Sequence, residues 1–334
     1  MFRTSLVLIL LATGIAASGN THAQVCGATV YSSVTLTADL VCLAGVDGIV
    51  IGDHNLAIDL TGYAITPPNG TAARGIRSSG FDGLKIFGGG KIRGFGTSVM
   101  IVGGNNHEIR DIDAVGPGFG IWLRNTSGSV VEKSRVGVVE LGSDPGYSAS
   151  ANRIAGNDAD SISVWGCKTY KNVIENNDIH PSNQFMAVSL AHGATDTEVI
   201  ANRIVSGTVW LGGASGNLVA GNSITSAVHP ATSWIYAGVI LGEHPSSCAS
   251  WAIVPAIDNV VTGNAIVGAP VGVLMAAGSR QNQVVHNKIY DQRDVGLYFH
   301  ANSDDNDGRG NGYRSAPGAN AQPVTDLGQR NLWP

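Results

Sequence analysis

The sequence predicts an all-β chain, a single-stranded parallel β-helix (β-solenoid) of about ten rungs with N- and C-terminal caps. Three observations predict it. First, the segments NVIENNDI (172–179), TEVIANRI (197–204), NLVAGNSI (217–224), NVVTGNAI (259–266) and NQVVHNKI (282–289) align without gaps and place Asn at 177, 202, 222, 264 and 287. The intervals are 25, 20, 42 and 23, so one unit is 20 to 25 residues, with insertions inside the doubled interval. Second, a short alternating segment bounded by Gly follows each copy: GIWLR (120–124), VVELG (138–142), SISVW (161–165), AVSLA (187–191), TVWLG (208–212), GVILG (238–242) and GLYFH (296–300). Such alternation reads as strands with one buried face. Third, a unit this short has no room for a crossover helix, so successive copies must stack strand on strand, in parallel.

Composition agrees. The chain holds 45 Gly, is 43% hydrophobic and only 13% charged, too sparsely charged for a disordered chain. A net charge of −5 with 20 Lys+Arg offers no basic stripe, which argues against a nucleic-acid partner.

Taken in order, residues 1–23 read as a signal peptide: Arg3 precedes the apolar run 6–17 (LVLILLATGIAA), and Thr21-His22-Ala23 offers small residues for cleavage after Ala23. The run is shorter than a membrane span and no later stretch is apolar for long enough, so the mature chain is expected to be secreted or periplasmic. Residues 24–60 are expected as an N-terminal cap and first turn, 61–301 as the parallel β-helix and 302–334 as a C-terminal cap or tail. The repeating Asn is assigned to the bend, where it tolerates left-handed backbone and its amide can bond the equivalent amide one rung on. In an exported chain four cysteines favour disulfides; of three possible pairings, Cys26–Cys42 and Cys167–Cys248 are preferred. No CxxC occurs, which counts against zinc and thiol redox chemistry.

With the repeat in view, the stretch Leu36-Thr37-Ala38-Asp39-Leu40-Val41-Cys42, followed by Asn55 to Ile65 (NLAIDLTGYAI), resembles the first turns of the right-handed parallel β-helix proteins of the pectate-lyase-like superfamily, in particular the NosD-like and carbohydrate-acting branch. Those turns usually read DLNGHTI; Thr61 and Tyr63 stand here for the usual Asn and His. The resemblance spans about residues 26–300 and implies a right-handed coil. It leaves chemistry open among lyase, hydrolase, epimerase and binding protein.

Alternation fixes the outward positions, because a charge on the core face would be very costly. One outward column reads Arg77, Met100, Trp122, Glu140, Ser163, Ser189, Trp210, Ile240, Leu274, Tyr298; its neighbour reads Arg124, Gly142, Trp165, Ala191, Gly212, Gly242, Ala276, His300. Aromatic residues in such a column imply either a loop folded over them or an open groove whose rings stack on sugars, with the small residues leaving room for the glycan. Insertions 226–236 and 243–256 could serve either arrangement.

Glu140 is the only carboxylate that this phasing commits to the centre of the face. Asp158 and Asp160, at the start of the next strand, are expected to approach it as the second carboxylate of an acid–base pair, against the commoner use of Asp in turns. His192 and His300 follow strand ends, where a neutral imidazole can act as a base. Lys168 and Tyr170 with Arg124 could instead supply the base, acid and neutralising cation for β-elimination of a uronate, and Glu243-His244 is a further option. Trp122, Trp165, Trp210, Tyr298, His300 and Arg77 are the expected glycan contacts. The tail NSDDNDGRGNG from Asn302 makes calcium the one candidate cofactor, but Ser303 stands where a calcium loop needs Asp, and the tail is read first as a polar cap.

The leading reading is an exported carbohydrate-active enzyme, a polysaccharide lyase or glycoside hydrolase ahead of an epimerase, acting on a polysaccharide or oligosaccharide along this face. The alternative is a non-catalytic carbohydrate-binding or cell-envelope protein. Copper handling ranks last, since nine His are scattered and only four Met are present.

Overall fold

The computed structural model describes residues 25–67, 71–182, 186–225, 237–246 and 252–333. Each repeat opens with a three-residue strand such as Val173–Glu175 and turns into a short strand such as Asp178–Ile179. It then runs along a longer strand such as Met186–Ala191 before closing the coil. Every rung pairs in parallel with the equivalent rung one turn on. The first strands form an eleven-stranded sheet; the short and long strands together form a twenty-two-stranded one, and no helix occurs among the described residues. The coil makes about twelve turns, two more than expected.

The core is a stack of aliphatic columns. Ile109, Val131, Ile154, Ile174, Val199 and Val219 lie in register on the eleven-stranded sheet and are buried. On the long-strand wall Ile121, Val139, Ile162 and Val188 do the same. β-Branched and leucine side chains repeat at these positions because each must pack against its own copy above and below.

Asparagine ladders close two bends of the coil. Asn157, Asn177, Asn202, Asn222, Asn264, Asn287 and Asn311 form the expected one: each side-chain oxygen accepts the backbone N–H of the preceding rung's ladder residue, as Asn222 accepts from Asn202 at 2.8 Å. A second ladder, absent from the sequence reading, runs through Asn217, Asn259, Asn282, Asn306 and Asn331, with Asn152 and Asn172 earlier in the same bend. The sequence pattern places the left-handed backbone on the ladder Asn; it falls instead on the residue before the ladder position: Asn176, Ala201 and His286 in one bend, and in the other Lys171, Gln281 and Asp196, the last preceding Thr197, whose N–H bonds the Asn217 oxygen. The chain must reverse there so that the next amide can turn inward, where Asn202 and Asn222 are each only 1% exposed.

The Cys26–Cys42 disulfide forms, at a sequence separation of 16. Cys167 is a free thiol, and Cys248 lies outside the described residues. So do residues 1–24, and with them the expected signal peptide. Within the expected C-terminal cap or tail, 302–334, Gly312–Ser315 and Gln322–Asp326 pair onto the last strands of the coil, while Asn306 and Asn311 extend the ladders. The repeat is hidden there because turn acids replace the usual apolar residues.

Candidate functional site

The outward column expected from alternation exists on a single wall. Arg77, Met100, Trp122, Glu140, Ser163, Ser189, Trp210, Ile240, Leu274 and Tyr298 are successive cross-strand partners. Arg124, Gly142, Trp165, Ala191, Gly212 and Gly242 form the neighbouring column in the same register. At about 4.8 Å per rung, Arg77 lies roughly 14 Å from Glu140 and Tyr298 roughly 29 Å beyond it, so the expected contacts cannot all serve one reacting centre.

Glu140 sits where the two columns are most aromatic. Phe119 stacks on Trp122 at 5.4 Å, and the Arg124 guanidinium lies over Trp122 at 5.5 Å and over Trp165 at 5.6 Å. Arg124 is also ion-paired with Asp144, which Asn125 holds by a further bond of 2.9 Å. Burial pushes the Glu140 carboxyl above the usual carboxylate value; the Trp165 indole, the Arg124 charge and the Trp122 indole pull the other way and lose. Trp122 Nε1 turns toward the Glu140 carboxyl without reaching hydrogen-bond geometry, and Arg124 Nε is buried with no partner. Glu140 is thus a carboxyl inclined to keep its proton, among donors that still lack an acceptor.

Glycines admit the indoles rather than a glycan. A Cβ on Gly142 would stand 2.4 Å from the Trp165 ring, and one on Gly212 would stand 2.2 Å from Trp210. Trp210 packs with Ile240, Leu274 and Tyr298 in a small apolar cluster separate from the main core. Ile240 and Leu274 point outward yet are buried, so this end of the face is a satellite core, while the Glu140 end keeps partly exposed side chains. The covered-face reading thus describes the Trp210 end of the wall.

A second constellation adjoins the first. The hairpin of His244–Ser246 with Ala252–Val254 brings His244 within 4.5 Å of the His192 ring and 4.7 Å of Trp210, both edge-on. The Pro245 carbonyl meets His192 Nδ1 at 2.8 Å and His244 Nδ1 at 3.0 Å. Burial lowers the His192 pKa, the Pro245 carbonyl raises it, and His244 lowers it further, so the ring favours its neutral form.

Other expected residues stand apart. Asp160 accepts a bond from Ser182 and is absent from the groups that act on Glu140; Asp158 is exposed and faces Arg135. Two residues of extended strand, Ser161 and Ile162, separate Asp160 from Ser163, the cross-strand partner of Glu140, and carry it along the wall. Lys168 and Tyr170 are exposed past the strand end, with Tyr170 paired to Ser150 on a different ladder, so they do not join Arg124 as an elimination triad. His300 caps the far end of the wall, and its Nδ1 is buried without a partner. Among the described residues no group of three His, Cys, Asp or Glu side chains could hold a metal ion. The tail acids are engaged instead by arginines, Asp305 by Arg330 and Asp307 by Arg309. Sequence reasoning missed Asp144 and Phe119; the one signal was that Asp144 follows Arg124 by 20 residues, a single repeat.

With parallel coils, ladders and register all in place, the chain belongs to the right-handed β-helix family, whose model matches residues 136–312. Among curated protein sequences none matches. Solved structures similar to it include an alginate lyase from Paenibacillus sp. (13% identity, TM-score 0.45, 87% of this chain and 92% of that one). Another is the A-module of a mannuronan C-5 epimerase from Azotobacter vinelandii (15%, 0.40, 92% and 87%). A third is a tailspike protein of an E. coli bacteriophage in complex with a pentasaccharide (12%, 0.46, 90% and 60%). At these identities the likeness is one of fold. No helix among the described residues is long and apolar enough to cross a membrane.

Proposed function

We propose that the protein is an exported carbohydrate-active enzyme that binds a glycan along the long-strand wall, with Glu140 as its proton donor. The observation that carries this reading is a half-buried carboxyl, raised in pKa, held between two indoles and beside donors without acceptors. A structural carboxylate would be expected at the surface or in an ion pair; here the ion pair of Arg124 goes to Asp144 instead. A carboxyl whose pKa burial raises is the better proton donor of its kind, and it can hand that proton to a glycosidic oxygen as the C–O bond breaks, while water adds at the anomeric carbon. Export is supported by Arg3, the apolar run and the small residues before position 24.

The test is a panel of neutral and uronic polysaccharides, scored for new reducing ends and for the ultraviolet absorbance of unsaturated products. Reducing ends without absorbance mark hydrolysis. Glu140→Gln should lower turnover by about a hundredfold or more while glycan retention persists. A second reading, a non-catalytic glycan-binding protein, is favoured by the capture of Asp144 in the Arg124 pair, which leaves no second carboxylate acting on Glu140 among the described residues. Retention of a glycan with no product from any member of the panel would decide for it.

A further inference from the structure

The glycan reading leaves the charge of the ligand open, and on that reading rests a narrower one: we propose that the glycan held beside Glu140 is uncharged. Along the two outward columns the fixed cations are Arg77 and Arg124, and each already has a carboxylate. Arg77 Nε lies 3.1 Å from Asp47, and Arg124 is paired with Asp144 while its flat face lies over Trp122 and Trp165. From Ser163 through Ser189, Trp210 and Ile240 to Leu274 one column carries no ionisable side chain, nor does the other from Trp165 to Gly242. Lys168, the next cation along the chain, is exposed beyond the strand end.

A uronate or sulfated residue on this wall would lose hydration without meeting an unpaired cation in either column, and it would face the arginine-paired acids Asp47 and Asp144. Neutral sugars meet the opposite situation. The buried donors Trp122 Nε1 and Arg124 Nε lack acceptors, and a hydroxyl or ring oxygen supplies one at no charge cost. The same arrangement removes β-elimination, which needs a free cation to neutralise the substrate carboxylate.

Affinity electrophoresis of the full chain tests this with polygalacturonate and alginate, the same polymers after carboxyl reduction, and neutral glucans, mannans and galactans. At least one neutral or carboxyl-reduced polymer should retain the protein roughly tenfold more tightly than any acidic one. That retention should survive added salt, since no ion pair supports it. Tighter retention on a native uronate, fading as salt is added, would overturn the inference and leave the glycan reading standing. Retention on neither class overturns both. In Asp144→Asn, which releases Arg124, retention on uronates should rise by about threefold or more; no rise would show that the pairing of Arg124 is not what excludes acids.

Discussion

At the scale of single residues, the two groups whose protonation matters respond to pH in opposite senses. Glu140 has a folded pKa above its unfolded one, so its contribution to stability is complete below about 4.5 and is lost as pH rises through the folded value. Once pH exceeds the folded value, Glu140→Gln should therefore stabilise the protein relative to the charged form. The gain should vanish below the unfolded value, and thermal melts of both forms from pH 4 to 8 check it. Stabilisation of Glu140→Gln above the folded value together with a loss of turnover would be the pattern of a carboxyl kept for proton transfer. His107 behaves in the other sense. It is 1% exposed, its Nδ1 accepts the Leu84 N–H at 3.2 Å and its Nε2 faces the Gly103 carbonyl. Burial lowers its pKa against the pull of Gly103 and Asp82, so it favours stability above about 6.5 and forfeits it as pH falls through the folded value. His107→Asn should flatten that acid-side decline in the same melts.

At the scale of elements, the ladders hold the bends. Asn202 donates to the Asn222 oxygen at 3.0 Å and to the Ile174 carbonyl at 2.9 Å, and it accepts from the Asn177 backbone and side chain at 3.0 and 2.9 Å. Asn202→Ala strands these partners away from water and should cost about 3–5 kcal/mol by urea denaturation, whereas Asn331→Ala, at the last rung, should cost clearly less. The ladder was legible in the sequence because Asn recurs in fixed phase, and so was the face, because a period of two assigns every side chain once one core residue is known. Residues whose partners lie outside that phase were not legible. Asp144 is a turn residue by local pattern and reaches Arg124 only because the coil brings position 20 residues on to the next rung. Asp160 failed for the converse reason: it shares a strand with the Glu140 partner, but a three-position offset in extended chain carries it along the wall. The engagement of the tryptophans by Phe119, Arg124 and glycine-floored pockets depends on rotamers, which alternation does not fix.

For the whole molecule, each turn contacts only its neighbours, so stability is a sum of local terms and a defect at one end need not travel. The Cys26–Cys42 bond ties the first turn, where the strands Ala28–Val30 and Leu40–Val41 pair onto Ile49–Ile51 and Ala64–Thr66. A bond closing a loop of this length contributes about 3 kcal/mol. In a globular domain its loss would lower the single unfolding transition; in a coil it should fray the first turn alone. Reduction followed by hydrogen exchange should raise amide exchange over residues 26–66 and leave the rungs around Glu140, three or more turns away, protected as before. Glycan retention should be unchanged by the same treatment. Uniform loss of protection along the rod would instead mean that the turns unfold as one cooperative unit, and the contribution of the disulfide would then reach the site.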